Sequence, residues 1–234
     1  MLDSLIQTIA DSVAGPDGQS IPYTLIQAGE SPSRALCFFF PGASYSFDKP
    51  YLYYSTMLFL RKQVDIVHVH YSFGQDNAAF WNSPFAEKSA WLQADAKRLV
   101  SHVLGKRAYE QIFFLGKSIG TIPIACGLLH ASAFSRTSAV LLTPLLTEES
   151  LVADLLSVKQ QVLLVSGTQD PYYQPTALEK IASSRPNVRL YLPDGAKHSL
   201  DVGLDVSRSL AVLQSVMDEL DSFVERELDA HAGS

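Results

Sequence analysis

The sequence is short of the residues that mark many protein classes. Only two of its 234 residues are cysteine, Cys37 and Cys126, each within an apolar stretch. They lack both the spacing of a metal site and the density of a secreted disulfide scaffold, and read as buried reduced thiols. Charge is also sparse: 18% of residues are charged, and 18 Lys plus Arg against 24 Asp plus Glu leave a net charge of -6. No basic run occurs, which argues against nucleic acid as the main partner. No apolar run approaches the roughly 18 residues of a membrane-spanning helix. Met1 to Ala14 holds Asp3 and Asp11 but no Lys or Arg, so it lacks the basic start of a secretory signal. A soluble, cytoplasmic protein with no nucleic-acid or membrane partner is expected, with its oligomeric state open.

The chain has ample apolar material. At 47% hydrophobic residues it can bury a core, and its length suits one large domain, taken as residues 1–234. Short apolar runs recur at Ala35 to Phe40, Val64 to Tyr71, Gln111 to Leu115, Ser138 to Leu142, Gln161 to Ser166 and Val188 to Leu192. Their lack of polar alternation is the mark of strands buried on both faces in a parallel sheet. Between them, Tyr51 to Gln63, Ser89 to Leu104, Ile119 to His130, Glu148 to Lys159, Thr176 to Ser183 and Ser207 to Asp229 show apolar residues at helical spacing. This alternation predicts an α/β fold, a three-layer α/β/α sandwich around a mostly parallel sheet. Near the start, Pro16-Asp17-Gly18 is a turn signal that would join two antiparallel edge strands, with Ile21 to Gln27 as the second. Ile6 to Val13 reads as either the first strand or a short helix. Tyr71 to Lys88 is the longest stretch expected to be irregular.

The residues with chemical content are Gly116-Lys117-Ser118-Ile119-Gly120, placed between an apolar strand and an apolar helix. A strand that turns at once into a helix strains the residue at its tip, and small residues two before and two after relieve the crowding. Ser118 would then stand over the strand ends at a helix N-terminus, where developing negative charge is favoured. Two later residues complete the pattern. Asp170 follows the strand Gln161 to Ser166, and His198 follows Val188 to Leu192. Loops at that edge of a parallel sheet open onto one rim, so the three can share a site. Glu148 and Glu149 are rival positions for the acid. Asp194 is too near His198 along its own loop to be favoured.

On these residues the sequence resembles the α/β hydrolases, from about Ile21 to Leu228. The matching segments are Gly-Lys-Ser-Ile-Gly at 116–120, Gly-Thr-Gln-Asp at 167–170 and Gly-Ala-Lys-His at 195–198. A fourth, Phe38-Phe39-Phe40-Pro41-Gly42-Ala43, is similar to the strand and turn that complete the oxyanion hole, with Pro41 where many members carry His. The resemblance implies that Ser118 is the nucleophile, His198 the general base and Asp170 its orienting partner. It further implies an oxyanion hole built by the backbone N–H groups of Ile119 and Ala43, with Ser44 as the fallback for Ala43. No cofactor or metal is implied.

Only Thr143 to Gln160 separates two predicted strands at the place where family members insert large lids, so the site is expected to be open. Aromatic residues crowd the segments around it: Tyr45, Phe47, Tyr51, Tyr53, Tyr54, Phe73, Phe80, Trp81, Phe85, Tyr172 and Tyr173. Most are expected to pack the domain. Ser44, Tyr45 and Tyr172 are the candidate pocket residues, for a small, weakly polar carboxylic ester or thioester. Esterase, thioesterase, acyltransferase and peptidase activity, or a binding protein on the same fold, all remain compatible with one triad. His68 and His70 lie on one strand face without an evident third ligand and read as structural. Lys117 is expected to point to solvent.

Overall fold

A computed structural model describes residues 6–15, 18–29, 32–71 and 78–232. The strands are β1 (Ile6–Ala14), β2 (Ser20–Ala28), β3 (Ala35–Phe40), β4 (Val64–Val69), β5 (Gln111–Lys117), β6 (Ser138–Leu142), β7 (Gln161–Val165) and β8 (Val188–Tyr191). They form one sheet in the order β1-β2-β4-β3-β5-β6-β7-β8. β1 pairs with β2 and β2 with β4 antiparallel, while every other pair is parallel.

The helices are α1 (Pro50–Arg61), α2 (Ala78–Asn82), α3 (Phe85–Lys106), α4 (Ile122–Ala125), α5 (Glu149–Leu155), α6 (Pro175–Ser184) and α7 (Val206–Ala232). Strand alternation sorts the core into two layers. Leu36, Phe38 and Phe40 of β3 pack with Leu92, Leu99 and Val103 of α3 and with residues of α4, α5 and α6. Cys37 and Phe39 point the other way, onto Phe59 of α1 and Leu220 and Phe223 of α7. The result is the three-layer sandwich that unalternating apolar strands require. β1, at the sheet edge, is exposed along most of its length.

Ile6 to Val13 forms a strand, matched residue for residue against β2. Of the turn between them, Pro16 and Asp17 lie outside the described residues. Gly18 has φ +82, a left-handed conformation that favours glycine, and its N–H bonds the Gly15 carbonyl at 3.1 Å. The expected helix over Ile119 to His130 is broken. A 3₁₀ turn over Ser118–Thr121 leads into α4, which ends before a second 3₁₀ turn at Leu128–His130. At the break, Gly127 packs so closely on α3 that a Cβ there would lie 2.8 Å from Gln93 Cγ and 2.9 Å from the Pro123 carbonyl oxygen. The stretch Tyr71 to Lys88 is less irregular than expected, since it holds α2 and the start of α3. Phe73 lies outside the described residues. Among the described residues no helix is long and apolar enough to cross a membrane.

Candidate active site

β5 runs two residues further than its apolar run and delivers Ser118 at φ +54. An L-residue is strained there, and the surroundings must hold it. Two glycines make room for the turn. A Cβ on Gly116 would come within 2.5 Å of the Gly120 carbonyl oxygen, and one on Gly120 within 2.2 Å of the Phe40 carbonyl oxygen. The elbow therefore closes on itself and against the end of β3. The turn after β3 touches it as well: a Cβ on Gly42 would meet Ser118 Cβ at 3.5 Å. Ala43 is the next residue of that turn, so the turn after β3 and the elbow carrying Ile119 are neighbours.

The loops after β7 and β8 are fastened together. Gln169 N–H bonds the Ala196 carbonyl at 2.9 Å and Thr168 N–H that of Pro193 at 3.2 Å. A Cβ on Gly167 would lie 2.1 Å from the Ala196 carbonyl oxygen. This fastening sets Asp170 beside His198: Oδ2 is 2.8 Å from Nδ1, and the carboxyl group is fully buried. Its other oxygen accepts the Tyr172 N–H at 2.9 Å. His198 Nε2 lies 2.8 Å from Ser118 Oγ. An ionised carboxylate only accepts, so Nδ1 carries the proton and Nε2 accepts the serine O–H. The three residues singled out by chain order form one continuous relay. The Tyr172 ring stands 5.0 Å from the imidazole. Ser44 is exposed beside the turn.

None of the other candidate acids takes part in this relay. Glu148 and Glu149 sit at the start of α5, and Asp194 accepts from Thr168 Oγ1 at 3.1 Å. His68 stacks on Phe47 with ring centroids 3.8 Å apart, and its Nε2 is 2.9 Å from Thr56 Oγ1. Burial brings its pKa down to about 3. His70 Nε2 lies 2.7 Å from Thr24 Oγ1. Both histidines are tied to neighbouring elements. Among the described residues no cluster of three or more metal-ligating side chains occurs.

Lys117 departs from expectation. It is 1% exposed, not solvated. Its Nζ donates to the His198 carbonyl at 2.6 Å and to Thr143 Oγ1, and lies 5.0 Å from the centroid of the Tyr45 ring. Phe113 and Leu115 show why: alternate residues of β5 share the face covered by α1 and α7, and Lys117 is the next in that column. Tyr45 is correspondingly bound into the fold. Its hydroxyl accepts the Tyr51 N–H at 3.1 Å, and burial pushes its pKa up to about 12. A groove of about 760 Å³ between α1 and α7, lined by Met57, Leu58, Leu213 and Met217, includes none of the relay residues.

Solved structures share this architecture. An esterase from Pyrococcus furiosus superposes with a TM-score of 0.71 at 13% identity, over 94% of this chain and 93% of its own. An α/β serine hydrolase without lid from Xanthomonas campestris gives 0.67 at 15%, over 94% of each chain. A cold-adapted esterase from an Arctic intertidal metagenomic library gives 0.69 at 15%, over 93% and 94%. The fold is therefore that of the α/β hydrolases. No protein-family model matches the chain, and no curated protein matches its sequence.

Proposed function

We propose that the protein is a serine hydrolase that cleaves carboxylic esters of small, weakly polar acyl groups. The observation that carries this reading is the unbroken relay from Ser118 Oγ through His198 to the buried Asp170 carboxylate. Ser118 attacks the carbonyl carbon while His198 takes its proton and returns it to the leaving alcohol. Asp170 fixes the tautomer and stabilises the imidazolium. The N–H groups of Ile119 and Ala43 hold the oxyanion. Water then attacks the acyl-enzyme, with His198 again as base.

The substrate lies on the rim formed by Ser44, Tyr45 and Tyr172. The chain acts as a single domain without a large lid, which the short connection between β6 and β7 supports, since α5 is its one helix. The structural neighbours, two esterases and a lidless serine hydrolase, favour the same class. The test is turnover of p-nitrophenyl esters of increasing acyl length beside matched thioesters, for the parent and Ser118→Ala. Short and medium esters should be the better substrates, and Ser118→Ala should lose activity by about four orders of magnitude or more. Faster thioester cleavage would move the protein to the thioesterases. Equal rates in parent and variant would remove Ser118 from the mechanism.

A further inference from the structure

Lys117 occupies a position that ordinary packing would give to a hydrophobic side chain. It extends the column of Phe113 and Leu115, on the sheet face that Leu200, Ala196 and residues of α1 and α7 cover. Placing an ammonium group there is costly unless it is well bonded. Its two hydrogen bonds go to neutral oxygens, the main chain of His198 and the side chain of Thr143.

The backbone around this contact is under strain. Ser118, Thr143 and Leu200 have φ of 54°, 49° and 66° and none is glycine. Such residues persist only where the surroundings over-determine them. Thr143 N–H bonds the Val165 carbonyl at 2.7 Å, and Leu200 N–H bonds that of Lys197 at 2.8 Å. The Leu200 carbonyl accepts the Tyr51 hydroxyl at 2.7 Å. Lys117 joins these separate pieces, linking the end of β5, the end of β6 and the loop that carries His198.

We infer that Lys117 is a positioning residue for the reaction: its ammonium group grips the main chain of His198 and keeps the imidazole within reach of Ser118. The inference rests on the hydrolase reading above. A serine–histidine separation of 2.8 Å leaves little tolerance, because a displacement of about 1 Å from a residue outside the chemistry can cost about a hundredfold in rate. The charged and titratable groups facing Lys117 are Asp170 after β7, Asp201 and His198 after β8, and Tyr45 after β3. Burial draws the lysine pKa down to about 7, against the pull of Asp170 and Asp201.

The test compares the parent, Lys117→Met and Lys117→Gln by fluorophosphonate labelling rate and by the pH profile of ester turnover. Lys117→Met should fold, label about tenfold more slowly or worse, and lose kcat with KM within about twofold. Without the buried amine, any change in rate that accompanies its titration near pH 7 should vanish from the profile. Lys117→Gln keeps an N–H donor and should regain part of the rate without restoring that change. A folded Lys117→Met with the parental rate and profile would overturn the inference, as would loss of folding in both variants, which marks a structural brace. A parent that takes no label would overturn the hydrolase reading and this inference together. A labelled parent with unaffected variants overturns this inference alone.

Discussion

The two ends of the parallel strands each bury a charge, and they treat it differently. At the N-terminal end, Asp65 of β4 is 1% exposed and is met directly by Arg107 Nη1 at 3.1 Å and the Tyr109 hydroxyl at 3.0 Å. At the C-terminal end, Lys117 is equally buried but bonds neutral oxygens beside three residues with strained backbone. The first end pairs its charge where it lies. The second places charge and strain around the serine, where a parallel α/β sheet carries its chemistry.

The contrast can be broken by substitution. The largest effect is expected from Gly120→Ala, since the new Cβ would sit 2.2 Å from the Phe40 carbonyl oxygen. Both stability and labelling should fall, with a loss of about 3 kcal/mol in chemical denaturation. Next is Arg107→Leu, which leaves Asp65 buried without its guanidinium. Because Arg107 is itself 30% exposed, the loss should be near the lower end of the buried-pair range, about 3 kcal/mol. The surviving folded protein should keep the parental kcat.

Lys117→Met should separate the two ends in the opposite sense. The lysine pKa is lowered from 10.5 to about 7 on folding. Between those values the unfolded chain binds more protons than the native one, so stability rises with pH. Below pH 7 both states are protonated and the full cost of burial is present. The melting temperature of the parent should therefore climb relative to that of Lys117→Met between pH 7 and 10, and an unchanging difference would refute the buried cation. The smallest effect is expected at the exposed Arg34–Glu110 pair. Arg34→Gln should leave the melting temperature essentially unchanged in thermal melts at low and high salt.

Much of this organisation is written in the sequence. β3, β6 and β7 are legible because burial on both faces leaves unbroken apolar runs, and Ser118, Asp170 and His198 because each lies in the turn or loop that follows an expected strand. Lys117 escaped for a related reason. Reading β5 as ending at Leu115, where the apolar run stops, makes the lysine part of a solvated turn. Hydrogen bonding carries the strand on to Lys117, opposite Leu142 of β6, and strand alternation then turns the side chain inward. The break in the helix after the elbow was hidden too, since apolar spacing over Ile119 to His130 cannot show that Gly127 lies against α3.

The most direct measurement is intact-mass and peptide mapping of the protein after reaction with a fluorophosphonate. A single adduct on the peptide containing Ser118 is expected, absent from Ser118→Ala and strongly slowed in His198→Ala. A properly folded parent that takes no adduct, or carries it on another residue, would contradict the assignment of Ser118 as the nucleophile.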